Sequence, residues 1–584
     1  MFSRSAGIFF VILFSLSACN PTNPPSIKLR YEINQSLEYH EVIDAYEKLA
    51  DYYKRARMVE MGTTDVGKPL HLFIISGDGD FDPVSLKRKE RSIILINNGI
   101  HAGEPAGIDA SLQYAIDMLE GKDGLDQVLE NTVIAIIPVF NIGGLLNQSK
   151  YHRMNQDGPD LKGARRNARN LDLNRDFAKM DSRNTRSFAS IFHHLDPDIF
   201  IDTHTTNGSD HQSVMTLIAS MHQKLPTAMG EFFKDVMTPE LYRRMNNETP
   251  WGMVPYVTMV ESGDIRKGIA GFNDHPYYSS GYASLFNSFA FITETLVYKP
   301  FPDRVKATYD FIRFLAEFTS ANSSQIRQLR QEAKENTKIK KEYVLDWVPD
   351  MQRSDDIMFR GYETEQGTGA LTNRITTVYN HERPWTDTIP FYDYFTPSVM
   401  VDATVAYIIP RAWEDMTQKM MLSGVEVEFI EQDTVMEVEI ISIVDYRLSA
   451  QSNQGRQLVS GVQVKTRIGA RQFYKGDAII YLNQAANNYI VNMLEPMAPA
   501  SFFRWGFFNS TLEDGESWWI WAFEDHAGEV LETNNELREA FEQKMADEAD
   551  FASDPAAQLQ YIYDIVAKPE VERGSYLYPV ARLK

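Results

Sequence analysis

The chain has 584 residues, of which 43% are hydrophobic and 24% charged, with a formal net charge of -22. That length exceeds what one hydrophobic core serves, and the composition is that of a folded globular protein, so two or three domains are expected. The acidic balance and the absence of a basic stripe exclude a nucleic-acid-binding role.

Residues 1–19 carry Arg4, an apolar run from Ile8 to Leu16, and then small residues. The run is too short to span a bilayer and reads as a secretory signal. Leu16-Ser17-Ala18-Cys19 looks like a bacterial lipobox, which implies cleavage before Cys19 and lipid attachment to it. Cys19 is the only cysteine, so the exported domains are expected to lack disulfides. The expectation is a lipoprotein signal over 1–18, a tether over 19–36 that is Pro- and Asn-rich from Asn20 to about Lys28, and an exported product anchored at a membrane, periplasmic or cell-surface. An ordinary signal peptide with an incidental cysteine is the alternative.

Hydrophobic periodicity predicts an amphipathic helix over 39–53 and strands over 69–76 and 92–97. Pro105 suits the first turn of a helix, and Ile108, Leu112, Ala115, Ile116 and Leu119 then form one face. The nearly all-apolar stretch 132–140 reads as a strand covered on both sides. A helix is expected over 183–194, strands over 198–203 and 288–293, and one long helix from 303 to about 334. Strands alternating with helices indicate an α/β sheet with helices on both faces.

A domain boundary is placed near 336. The remainder, 336–584, reads as a β-rich α+β domain, with strands over 405–409, 425–429, 435–443 and 477–482 and helices over 536–546 and 555–566. The aromatic stretch from Phe502 to Trp521 reads as core and inter-domain packing; a peptide- or glycan-binding surface is the alternative.

Three apolar runs deliver polar side chains near their carboxyl ends, where open α/β sheets collect ligands. The first is Ile96-Asn97-Asn98-Gly99-Ile100-His101-Ala102-Gly103-Glu104, in which Gly99 and Gly103 permit tight turns. The second ends in Asp202-Thr203-His204, and the third in Ile292-Thr293-Glu294. His101, Glu104 and His204 form a His-Glu-His set suited to zinc, and Glu294 is the right kind of group for a general base. His193 and His194 close a predicted helix, where capping the dipole is the expected role. The stretch Arg165 to Phe177 holds four arginines in an acidic chain, a plausible locus for carboxylates or a developing oxyanion.

Taken in order, these segments resemble the zinc carboxypeptidase family that includes the pancreatic carboxypeptidases. The resemblance rests on His101-Ala102-Gly103-Glu104, Asn141-Ile142-Gly143-Gly144, Asp172-Leu173-Asn174-Arg175-Asp176-Phe177, His204 and Ile292-Thr293-Glu294, and covers roughly 37–320. It implies a mixed sheet flanked by helices over 37–335. It implies that His101, Glu104 and His204 bind one zinc ion and that Glu294 is the base. Asp172 would orient a ligand histidine, and Asn174 and Arg175 would hold the substrate's terminal carboxylate. Arg165 would polarise the scissile carbonyl, with Arg166 as the fallback. The substrate-capping tyrosine would lie among Tyr277, Tyr278 and Tyr282, with Tyr277 preferred. The family's usual Asn-Pro-Asp-Gly reads Asn-Ile-Gly-Gly here, and 336–584 resembles the extension of some exported bacterial relatives.

The implied activity is hydrolysis of the C-terminal peptide bond of peptides with a free C-terminus. Two other readings stand beside it. One is a zinc amidase or deacylase acting on N-acyl amino acids or cell-wall peptides, and the other is an inactive peptide- or glycan-binding lipoprotein.

Overall fold

A computed structural model of the chain describes residues 23–513, 517–566 and 577–584, so the expected signal segment and Cys19 lie outside the described residues. Eight strands form the main sheet: β1 (Ala56–Thr63), β2 (Pro69–Ile75), β3 (Ser92–Asn98), β4 (Thr132–Ile137), β5 (Ile199–Thr206), β6 (Met215–Ala219), β7 (Met253–Pro255) and β8 (Phe289–Leu296). Their order is β1-β2-β4-β3-β5-β8-β6-β7. The four middle strands β4, β3, β5 and β8 are parallel. The β1–β2, β2–β4 and β8–β6 pairings are antiparallel. The sheet is therefore mixed, with the carboxyl ends of β3, β5 and β8 on one side.

β3 is buried at every position because its alternating side chains enter two different cores. Ile93 and Leu95 join one, and Ile94 and Ile96 join the other, as the two-residue period of a strand requires. Helices Tyr39–Tyr52, Ala106–Leu119, Phe301–Ala321 and Ser323–Lys338 cover the second face through Tyr46, Leu112, Phe311 and Ile326. The first face is covered by helix Arg183–Leu195, through Phe188 and Phe192, and by the chain beyond residue 340, through Tyr343, Tyr407, Tyr489 and Phe503. One continuous apolar core thus joins the two halves of the sequence.

Several elements differ from expectation. The long helix is two, Phe301–Ala321 and Ser323–Lys338, broken at Asn322 (φ -114°, ψ 16°). The Asn322 side-chain amide donates to the Phe318 carbonyl at 2.8 Å, and such local bonding competes with helix continuation. The strand expected over 425–429 shrinks to Glu428–Phe429, because Val425 is buried in the core instead. An unexpected antiparallel hairpin, Asp355–Thr368 with Ile375–Tyr392, stands largely exposed. Its charged residues, with Pro384 and Pro390, hide any two-residue hydrophobic period. A second long hairpin pairs Thr434–Leu448 with Val459–Phe473.

The aromatic stretch divides. Phe502, Phe503, Trp505 and Phe508 are buried, whereas Trp521 is 58% exposed.

Candidate metal centre and cleft

His101 sits in the turn after β3, whose reversal uses Gly99 at φ 69°. Gly103 serves differently: a Cβ there would lie 2.6 Å from the Gly163 carbonyl oxygen and 2.9 Å from Arg153 Cδ. Glu104 is separated from the helix Ala106–Leu119 only by its N-cap residue, Pro105. His204 and Glu294 lie inside β5 and β8, two residues before the end of each strand, so both strands run further than the apolar pattern indicated.

His101 Nδ1 lies 3.1 Å from Glu104 Oε1. His204 Nδ1 lies 3.1 Å from Glu104 Oε2 and 3.2 Å from His101 Nδ1. One ligand atom from each of the three residues falls within 4.8 Å of the others, and all three side chains are buried. The remote nitrogens are occupied by carboxylates: His101 Nε2 pairs with Asp172 Oδ1 at 3.1 Å and His204 Nε2 with Asp202 Oδ2 at 2.8 Å. A carboxylate on Nε2 fixes the tautomer that leaves the Nδ1 lone pair facing the shared point. Two imidazoles and one carboxylate so oriented fit a zinc ion and leave a coordination position free.

Each carboxylate behind a histidine is anchored in turn. Asp172 accepts from Arg165 Nη2 at 2.9 Å and from the Asn174 backbone N–H at 3.0 Å. Asp202 accepts from Ser279 Oγ at 2.5 Å and from Asn97 Nδ2 at 3.3 Å. The sequence pattern gives Asp202 no role of its own in the site. The Asp-Thr-His order contains the missed signal, since residues two apart on a strand share a face.

Arg153 was not anticipated at all. Its Nη1 donates to Glu104 Oε1 at 2.7 Å, its Nη2 to the Thr205 carbonyl at 2.8 Å, and its Nε to Gln156 Oε1 at 2.6 Å. The Thr205 N–H donates to Glu104 Oε2 at 2.8 Å. Burial would push the Glu104 carboxyl up, but the Arg153 guanidinium and then His101 outweigh it and hold Glu104 well below the ordinary carboxylate range. For His204, burial favours the neutral ring, yet Asp202 and Glu104 prevail and raise its pKa. The negative charge of Asp202 and Glu104 that raises it would equally favour a cation at the shared point, in exchange for the proton.

Burial, reinforced by Glu104 and opposed by His204, raises the Glu294 carboxyl to about 7. Glu294 Oε2 is buried without a protein partner. An unpaired carboxylate oxygen beside a cation site is suited to accept a proton from water.

The cleft above these groups has a volume of about 730 Å³ and is lined by His101, Glu104, Arg153, Arg165, Asn174, Arg175 and Glu294, together with an apolar wall. That wall includes Ile218, Tyr256, Phe272 and Ile292. Arg165 Nη1 approaches His101 Nδ1 at 3.3 Å. Arg166 is exposed and donates to the Asn170 carbonyl at 2.8 Å, so only Arg165 of the two faces the cleft. Asn174 Oδ1 accepts from the Ser279 N–H at 3.2 Å. Arg175 stacks 4.5 Å from the ring centre of Tyr278.

Tyr277, the preferred capping residue, is not among the cleft-lining residues; it packs against the shared core with its ring 5.8 Å from that of Trp505. Tyr278 lines the cleft in its place. His193 also departs from expectation. Burial pushes it down to about 4, and its Nε2 pairs with the Tyr282 hydroxyl at 2.8 Å, so this half-buried ring favours the neutral form, which has no charge for the helix dipole. Asn141 caps the short helix Ile142–Leu145, accepting from the Gly144 N–H at 2.9 Å. Its amide donates to the carbonyls of Ile100 and Arg165, tying the His101 turn to the arginine loop.

Residues 42–224 match the family model described as zinc carboxypeptidase. That span contains every residue named above as a metal ligand, but not Glu294. Carboxypeptidase 2 of Trichophyton equinum is 20% identical over 431 residues, 71% of this chain and 73% of the relative. Probable carboxypeptidase 2 of Arthroderma benhamiae is 20% identical over 409 residues, 67% of this chain and 71% of the relative. Among solved structures, carboxypeptidase A from Helicoverpa armigera aligns with a TM-score of 0.39 at 15% identity, over 54% of this chain and 78% of that chain.

Proposed function

We propose that this chain, whose residues 42–224 match the zinc carboxypeptidase family model, is a zinc metallocarboxypeptidase that releases the last residue of peptides with a free C-terminus. The observation that carries the reading is the convergence of His101, Glu104 and His204 on one point with the unpartnered oxygen of Glu294 in the same cleft. Bound there, zinc supplies Lewis acidity, polarising the carbonyl and acidifying a water molecule.

The chain's own groups do the rest. Asp172 and Asp202 hold the two imidazoles in the ligating tautomer. Glu294 accepts a proton from the attacking water and delivers it to the departing nitrogen. Arg165, fixed by Asp172, presents a guanidinium to the carbonyl oxygen as negative charge develops there. Arg175 and Asn174 receive the terminal carboxylate, for which a planar guanidinium is the matched partner. The apolar wall of Ile218, Tyr256, Phe272 and Ile292 supports an apolar or aromatic last side chain.

The test is mass spectrometry of peptide mixtures incubated with the wild type and with Glu294→Gln. Loss of single C-terminal residues from free peptides, and none from C-terminally amidated ones, is expected. Equal cleavage of both would favour an amidase or deacylase. The sequence features at 8–19 support export and lipid attachment at Cys19. Metabolic lipid labelling that disappears in Cys19→Ala is the corresponding result.

A further inference from the structure

The chain beyond residue 340 reaches the segment that carries Asp172, Asn174 and Arg175. The contact is made by the tip of the 434–473 hairpin. There Asn453 and Arg456 exchange both backbone hydrogen bonds, at 2.8 and 3.1 Å. Gln454 and Gly455 form the turn between them, with φ of 52° and 76°. Such turns favour asparagine and glycine, and a glutamine held at positive φ points to a constraint imposed by its surroundings.

The side chain of Gln454 supplies that constraint. Its Oε1 accepts the backbone N–H of Asp172 at 2.8 Å, across 282 residues of sequence. A Cβ on Gly455 would lie 3.8 Å from Leu171 Cδ2. Arg456 donates twice to Asp181, at 2.7 Å each, and its guanidinium lies 3.5 Å from the ring centre of Phe507. Lys419 adds a hydrogen bond to the Met180 carbonyl at 3.0 Å. The segment 171–181 is therefore held at both ends by residues from the C-terminal half.

Asp172 is the junction of the site, since its carboxylate takes both His101 Nε2 and the Arg165 guanidinium. We infer that Gln454 and Arg456 are positioning residues, through which the C-terminal half sets the Asp172 segment and so the orientation of His101, Arg165 and Arg175. The inference rests on the metallocarboxypeptidase reading, but it makes one claim that needs no substrate: the hairpin governs how firmly the metal is held.

The test compares Gln454→Gly with Gln454→Glu in the full chain, reading zinc release to a chelator, kcat and KM separately, and thermal melting. Glycine suits the positive φ, so Gln454→Gly is expected to melt no lower than wild type. It is nonetheless expected to release zinc about 10-fold faster and to lose about 10-fold in kcat/KM, the scale seen when support behind a metal ligand is removed. Gln454→Glu keeps an accepting oxygen and is expected to retain most of both. Wild-type zinc release in Gln454→Gly, or equal losses in both variants, would overturn the inference. Should the glycine variant not fold, Gln454→Met keeps the bulk, lacks the acceptor oxygen, and carries the same comparison. A wild type without exopeptidase activity would sink the functional reading, while the zinc-release arm would still decide the role of the hairpin.

Discussion

His204 and Glu294 stand directly opposite each other on the adjacent parallel strands β5 and β8. Residues paired in this way on neighbouring strands project to the same side of the sheet, so the proposed metal ligand and the proposed proton acceptor are set side by side by backbone pairing alone. Rigid strands hold catalytic groups more precisely than loops do, and β5 and β8 lie in the interior of the sheet.

Glu294→Gln keeps the shape of the side chain and removes its basicity. A loss of about 100- to 10,000-fold in kcat is expected, with zinc content unchanged by elemental analysis. Turnover within about 10-fold of wild type would remove Glu294 from the mechanism.

Asp202→Asn leaves an amide behind His204 where a carboxylate now accepts from Nε2. The ring loses the partner that fixes its tautomer, and zinc affinity is expected to fall about 10- to 100-fold. Competition with a chromogenic chelator measures it, and an unchanged affinity would contradict the role given to Asp202.

Arg153→Lys tests the residue that neutralises Glu104. One ammonium cannot reproduce the fork that reaches Glu104, Thr205 and Gln156. The expected result is a lower melting temperature and a fall in kcat/KM of about 10-fold or more, with no rescue by the conserved charge.

Arg175→Ala should act on substrates with a terminal carboxylate. KM for free peptides is expected to rise by about 10- to 100-fold, corresponding to a lost charge-assisted pair worth roughly 1.5–3 kcal/mol. An identical effect on C-terminally amidated peptides, measured in the same assay, would show that Arg175 does not read the carboxylate.

Asp109, in the first turn of the helix Ala106–Leu119, gives a pH test that does not use the candidate metal ligands. Burial raises its carboxyl to about 7, and its Oδ1 is buried without a partner. A carboxyl raised on folding stays protonated in the native chain while the unfolded chain ionises near its ordinary value. Stability is therefore fully present below about pH 4 and declines as pH rises towards 7. Asp109→Asn removes this titration, so its advantage in melting temperature should widen between about pH 5 and about pH 8. The full rise, from 3.8 to about 7, corresponds to roughly 4 kcal/mol as an upper bound. A constant difference across that range would contradict the assignment.

Much of the site was legible in one dimension because its parts are marked by local patterns. An apolar run followed by His101-x-x-Glu104, a second ending at His204 and a third at Glu294 each announce a strand and a polar group near its end. The two-residue period also puts Asp202 and His204 on one face of their strand, where they pair. What the local pattern could not supply was the choice of partners between distant segments. Arg153 lies 49 residues from Glu104, outside the arginine-rich stretch Arg165 to Phe177, and nothing in its neighbourhood marks it. Tyr277 and Tyr278 are equivalent as sequence, and only packing sends one toward the core and the other to Arg175. Likewise, the chain after 336 reads as a unit of its own, yet it covers one face of the sheet. Side-chain periodicity is a property of each strand or helix, so the sequence carries it openly. Contacts across hundreds of residues follow from how those elements pack, and there the tertiary structure decides.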